Sequence, residues 1–275
     1  MSCVCFDLCL KSVAFVIHLA FAPSMSYRAI LFVNLSLLTV IATSSLDGHV
    51  KVWSALADDK GKMLHDIDVG PVESWAVAFA PDNDSNDVIA TTCQSGDAAI
   101  NFWNVASGEK QSTLGQRSGT NVSIAYSNDG RLVACGAMDG TVTLFDAQKA
   151  TKLHQFSAHA SAVRTMAFSS DAATLMTGAD DASVRIFDTE SATAVTALAA
   201  HAGAVLALAT SPDQQRFATA SADKTVKMWQ IGQSNALFTF SEHSDKVWSL
   251  AFAPNATRLV SGGDDGNLCV YNIPT

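Results

Sequence analysis

A chain of 275 residues, 48% of them hydrophobic, is long enough to bury a substantial core in one or two domains. The charge balance is acidic, 17 Lys plus Arg against 26 Asp plus Glu, and no block of basic residues stands out, which tells against direct binding of a nucleic-acid backbone. Six scattered cysteines are too few for a disulfide framework and imply a reducing compartment, while an acidic surface suits a protein partner carrying Lys or Arg.

The chain opens on Cys3, Cys5 and Cys9, a cluster short of the four ligands zinc normally takes, with His18 the only nearby imidazole. No metal or other cofactor is expected. Two apolar runs follow, LKSVAFVIHLAFA over 10–22 and AILFVNLSLLTVIA over 29–42. Each is shorter than the roughly 20 residues that span a bilayer, and Pro23, Ser24, Ser26 and Arg28 separate them, so no membrane span is expected. Asp7 precedes the only nearby lysine and Pro23 follows the A-x-A pattern at Ala20 to Ala22, which is a poor secretory signal. The sequons at Asn34, Asn121 and Asn255 are read as chance. Residues 1–25 are expected to be a divergent hydrophobic leader, or to carry a buried strand, ahead of a folded domain over 26–275.

An internal repeat organises that domain. The aromatics that end successive alternating runs are Trp53, Trp103, Phe145, Phe187, Trp229 and Tyr271, the last five spaced by 42 residues and the first interval by 50. Six residues before each stands an aspartate: Asp47, Asp97, Asp139, Asp181, Asp223, Asp265. Four residues before each aspartate is a small hydrogen-bonding side chain: Thr43, Cys93, Cys135, Thr177, Thr219, Ser261. Twenty-two residues before the last three aspartates stand His159, His201 and His243. Runs such as VRTMAF, TLMTGA and SVRIFD, separated by turn-forming SPD, NDG and MDG, predict several short strands per unit and no helix. Such a unit is the signature of an all-β propeller of WD repeats, with six recognisable repeats here.

Hydroxyl, imidazole and carboxylate at Thr219, His201 and Asp223 are also the parts of a nucleophilic triad. The same set recurs at Thr177, His159, Asp181 and at Ser261, His243, Asp265, however, and an enzyme needs one site where a repeat needs one per blade. In WD-repeat propellers, which these residues resemble, Asp, His, Ser/Thr and Trp form a network that pins the loops of a blade to its strands. That set is complete only around Trp229. No catalytic residue is expected.

The stretches SSLDGHVKVW, DIDVGPVESWAVAFAPD, SIAYSNDGRLVACGAMDGTVTLFD and SGGDDGNLCVYNIPT further resemble the WD-repeat subunit of the superkiller complex. That family is a seven-bladed propeller without catalysis of its own. The resemblance implies a cytoplasmic and nuclear scaffold that binds a tetratricopeptide subunit and an RNA helicase in exosome-mediated 3′-to-5′ mRNA decay. It also implies a role in the RNA polymerase II-associated factor complex, in elongation and histone modification. A seventh strand-end aromatic is missing, so a first blade is expected to be absent. Either VAFVIHLAF supplies a closing strand, or the chain is an alternative or mis-predicted product; the second is the preferred expectation.

Partner capture is expected on one face of the propeller, through Trp75, Arg164, Asp180, Trp248 and Asp264. Asp180 or Asp264 would pair with an arginine of the partner segment. The competing function is a substrate receptor of a ubiquitin ligase or another regulatory complex using the same face, and a propeller hydrolase is the remaining one.

Overall fold

A computed structural model describes residues 17–20, 28–33, 40–44, 48–54, 58–59, 61–69, 76–81, 88–92, 98–116 and 119–273. Among these residues there is no helix; all regular structure is antiparallel strand. The first sheet joins β1 (Ile17–Ala20), β2 (Arg28–Val33), β3 (Val40–Ser44), β4 (His49–Ser54) and β5 (Met63–Asp68). The second holds β6 (Val77–Phe79), β7 (Val88–Thr92), β8 (Ala98–Asn104) and β9 (Lys110–Gln116). The third holds β10 (Asn121–Tyr126), β11 (Leu132–Ala137), β12 (Thr141–Asp146) and β13 (Thr151–Ser157). In the fourth are β14 (Val163–Phe168), β15 (Thr174–Ala179), β16 (Ser183–Asp188) and β17 (Ala194–Ala199). The fifth comprises β18 (Val205–Thr210), β19 (Arg216–Ser221), β20 (Val226–Gln230) and β21 (Ala236–Phe240). The sixth has three strands only, β22 (Val247–Phe252), β23 (Arg258–Gly263) and β24 (Leu268–Asn272).

The inner strands meet in sequence, β2 with β6, β6 with β10, β10 with β14, β14 with β18 and β18 with β22. The circuit returns through β1, which lies against β22 and β23 while pairing with β2. The run VAFVIHLAF therefore does contain a strand, but it adds to the inner edge of the first sheet and leaves the outer side of β24 without a partner among the described residues. A strand that completed the last sheet would have to pair with β24 instead.

Packing between sheets uses the repeated aromatics. Trp103 clusters with Ile67 of the preceding sheet, Phe145 with Leu114, and Trp229 with Leu198. Phe187 meets Phe156 at 4.7 Å between ring centroids, and Tyr271 meets Phe240 at 4.2 Å. Each aromatic thus covers the outermost strands of the unit before it, a burial worth about 1.5–3 kcal/mol per side chain. On the inner side the first valine of a sheet wedges against a glycine of the previous one. A Cβ on Gly136 would come within 2.8 Å of Val163, and one on Gly178 within 2.6 Å of Val205. Small residues at these positions are what let the blades approach.

The turns also repeat. The residue after the turn aspartate is left-handed in the last four units, with φ of 87° at Gly140, 63° at Ala182, 73° at Lys224 and 75° at Gly266. An L side chain strains this conformation. Ala182→Gly should therefore raise the free energy of unfolding by about 0.5–1 kcal/mol, measured by urea titration; an unchanged or lowered midpoint would contradict this account of the turn.

Candidate functional site

Three of the repeated sets come together at one end of the blades. His201 Nδ1 lies 2.9 Å from Asp223 Oδ2 and its Nε2 lies 2.7 Å from Thr219 Oγ1, which accepts from Trp229 Nε1 at 2.9 Å. His159 reaches Asp181 at 3.0 Å and Thr177 at 2.8 Å; His243 reaches Asp265 at 2.9 Å and Ser261 at 2.7 Å. Phe187 offers Thr177 no indole donor, and the Thr177 hydroxyl also lies 3.2 Å from the Arg185 carbonyl. Tyr271 places its hydroxyl 3.2 Å from Ser261 Oγ.

Around Trp229 the direction of every bond follows from a neutral imidazole. Nδ1–H donates to the Asp223 carboxylate, Nε2 accepts from the Thr219 hydroxyl, and the freed lone pair of Thr219 takes the indole N–H. A proton added at Nε2 would aim two donors at Thr219 and leave its hydroxyl hydrogen without its acceptor. Burial accordingly lowers the pKa of His201 below 6.5, a shift that the Asp223 charge only partly offsets. His159 is lowered for the same reason. Burial opposes the charged form of Asp223, but the Thr225 hydroxyl, the amides of Ala202 and Thr225 and the facing His201 outweigh it, bringing the pKa to about 2. Asp265 also sits at about 2, with burial outweighed by the amides of Asn267 and Ser244 and by His243.

This geometry matches a triad in its distances but not in its access. The Thr177 and Thr219 side chains are wholly buried and Ser261 nearly so, and Thr219 is already engaged on both sides. A nucleophile has to reach a substrate carbonyl; these hydroxyls face their own strands.

Elsewhere the network is reduced. Trp53 Nε1 donates to Thr43 at 3.0 Å. In the second sheet Trp103 Nε1 donates to Thr91 at 3.0 Å, where the repeat spacing points to Cys93. The ladder explains the difference: Thr91 lies opposite Asn101 as Thr219 lies opposite Lys227, so the hydroxyl stands twelve residues before the tryptophan and not ten. The uniform spacing named Cys93, which lies outside the described residues, whereas the indole donates to Thr91. Cys135 occupies the expected place, and burial pushes its thiol up to about 12, which leaves it inert. Cys3, Cys5, Cys9, Cys93, Asp47, Asp97 and Trp75 lie outside the described residues.

Two of the remaining partner-face residues, Arg164 and Trp248, share a local device that spacing alone does not reveal. In four of the inner strands, β10, β14, β18 and β22, the ladder slips at a β-bulge, between Asn121 and Ser123, Val163 and Thr165, Val205 and Ala207, and Val247 and Ser249. The residues skipped are Val122, Arg164, Leu206 and Trp248, and a bulge re-aims the side chain it carries. Arg164 grips Asp180, Nε donating at 2.9 and 3.0 Å and Nη2 at 2.6 Å, so that carboxylate is already paired within its own blade. Asp264, two sheets on, is exposed and forms no ion pair among the described residues. Its amide bonds the Lys246 carbonyl at 2.8 Å, as the Asp180 amide bonds that of Ala162 at 3.0 Å, so the two acids occupy the same place in their blades. Trp248 is half-buried.

Asp223→Ala should lower stability by about 1–3 kcal/mol, because it leaves a buried imidazole without its acceptor. Folded-state pKa values below 6.5 for His201 and 3.8 for Asp223 mean that the unfolded chain binds more protons. Stability is therefore full above pH 6.5 and falls on acidification, first as His201 is driven to charge and again as pH drops from 3.8 towards 2. Denaturation of both proteins across this range should show a shallower acid limb for Asp223→Ala; parallel curves would refute the pin.

A family model described as WD domain, G-beta repeat, matches residues 10–54 and 234–272, the first match beginning inside the segment expected to be a leader. A second, for the nucleolar protein 10-like N-terminal domain, matches residues 64–233. The WD repeat-containing protein SL1-17 of Schistosoma mansoni is 28% identical over 92 residues, 34% of this chain and 28% of that relative's own length. The chain spans well under half of that protein. Repeats at both ends and a propeller match through the middle fit the six sheets and their shared register: the chain belongs to the WD-repeat β-propeller proteins, its residues 64–233 to the nucleolar protein 10-like N-terminal domain family.

Proposed function

We propose that the chain is a non-catalytic scaffold that captures an extended, arginine-bearing segment of a partner protein on the face that carries Trp248 and Asp264. The observation that carries this reading is the contrast between Asp180, neutralised by Arg164, and Asp264, the equivalent acid left exposed beside the bulge that carries Trp248. An indole next to a free carboxylate suits an arginine stacked on one and paired with the other. Asp180, paired with Arg164 two sheets away, is not open to a second arginine in the same way. The acidic balance of the chain favours the same class of partner.

The finer reading rests on the stretches that resemble the superkiller WD-repeat subunit. On it, the partners are a tetratricopeptide subunit and an RNA helicase, with mRNA decay and the polymerase-associated factor complex as the settings. A second reading is favoured by the match of residues 64–233 to the nucleolar protein 10-like N-terminal domain and would set the scaffold in the nucleus or nucleolus. Affinity purification of the tagged chain separates them. Helicase and tetratricopeptide subunits would support the first, nucleolar proteins the second, and cullin subunits would replace both with a ligase receptor.

Asp264→Lys should reduce recovery of the main partner at least about tenfold, the value of a lost charge-assisted contact, with an unchanged melting temperature. Trp248→Ala should do the same at some cost in stability. Full recovery with Asp264→Lys would sink the assignment of this face.

A further inference from the structure

At two seams between sheets, the loop leading into an inner strand is tied by its backbone to the sheet before it. The His159 amide bonds the Gly140 carbonyl at 3.0 Å and the His201 amide bonds the Ala182 carbonyl at 3.1 Å. Each acceptor is the left-handed residue that follows the turn aspartate of the preceding sheet. Lys224 holds that place for the loop 241–246, which leads into β22, and no backbone bond joins Lys224 to His243 among the described residues. The loop into β18 has a second tie, from Lys227 Nζ to the Ala200 carbonyl at 2.7 Å. In the sixth sheet Cys269 stands at the Lys227 position, and a thiol is a short, weak donor. A side chain joins this seam instead: Lys224 Nζ donates to the Ser244 carbonyl at 2.9 Å.

The lysine occupies a strained place. Among the described residues, those other than glycine with positive φ are five alanines, Gln214 and Lys224. A glycine would relieve the strain at Lys224, whose φ is 73°. Its long side chain adds nothing to the turn itself, whose bonds run from the Lys224 amide to the Ser221 carbonyl and from the Thr225 amide to the Asp223 carboxylate. What the side chain does is cross to the next loop. Beyond Ser244 that loop is pressed onto the turn that carries Asp264. The Ser244 amide donates to the Asp265 carboxylate at 2.9 Å, and the Lys246 carbonyl accepts the Asp264 amide at 2.8 Å. The approach is close: a Cβ on Gly263 would come within 2.9 Å of the same Lys246 carbonyl. Trp248 follows two residues later, at the bulge of β22. Displacing Ser244 would therefore disturb the acid and the indole together.

We propose that Lys224 is a positioning residue for the partner site, a latch from the fifth sheet that fixes loop 241–246 and so holds Asp264 and Trp248 ready for the arginine of the captured segment. This inference rests on the reading of Asp264 and Trp248 as that site. Lys224 and Ser244 are both exposed, so the latch orders a loop and adds little to the stability of the fold. A loop that is ordered before the partner arrives need not be ordered by it, and affinity rises by the cost avoided.

Lys224→Met keeps the length of the side chain and the strain of the turn but removes the donor, whereas Lys224→Arg keeps a donor. With amide exchange of the full chain followed by NMR, the Ser244 and Asp264 amides should exchange about fivefold faster in Lys224→Met than in the parent. They should return towards the parent rate in Lys224→Arg. The Asp180 amide, which bonds Ala162 in the equivalent place, should not change in either variant. The protein recovered most abundantly with the tagged parent chain should be recovered about fivefold less with Lys224→Met and fully with Lys224→Arg, at an unchanged melting temperature. Equal exchange in parent and Lys224→Met overturns the latch, whatever the partner does. Faster exchange with undiminished recovery overturns its role at the site, and leaves the proposed function standing if Asp264→Lys still reduces recovery. Recovery lost in Lys224→Met but retained in Asp264→Lys would place the site elsewhere and overturn both.

Discussion

No blade of this protein can bury both of its faces by itself. Sheets present apolar residues on two sides, and cover comes from the next unit: at two junctions a valine wedged on a bare glycine at the inner end, and an aromatic laid over the outer strands at the other. Stability is therefore a property of neighbours, as in any array whose repeats contact only the adjacent ones. This mutual dependence explains why the 42-residue register is held so tightly from Trp103 to Tyr271. A slip of one residue would turn each aromatic away from the sheet it covers.

The same constraint makes the join between last and first sheets the place where the array shows its terms. There the inner contact is supplied by β1, while the outer contact is not supplied by a described strand. Leu268 and Val270 are exposed there, whereas Val226 and Met228 at the same positions of the fifth sheet are buried. Their chemistry is alike, so the difference lies in the neighbour and not in the strand.

The polar network has a narrower part. It satisfies the buried imidazoles of His159, His201 and His243 and ties each loop to its strands, and it engages the hydroxyls of Thr177, Thr219 and Ser261. Blades lacking the full set keep whichever pair their residues allow, Trp53 with Thr43 or Trp103 with Thr91. In the third sheet Phe145 and Cys135 are simply packed. A buried network contributes only where every member has a partner, and the sheets fall on either side of that condition.

Spacing alone determined the class of fold, the number of units and the residues of the His–Asp–hydroxyl sets, because a repeat writes the same physical requirement many times and the aspartate register has no other economical cause. It could not assign Thr91 over Cys93, since only the ladder, which sets Thr91 opposite Asn101, reveals which hydroxyl the Trp103 indole reaches. Nor could it distinguish Asp180 from Asp264, two acids at one repeat position whose charges differ in availability because a bulge aims Arg164 at the first. The exposure of Leu268 and Val270 was likewise invisible, for LCVYN alternates as its sister strands do. What decides their burial is the presence of another sheet, a fact that belongs to the tertiary structure.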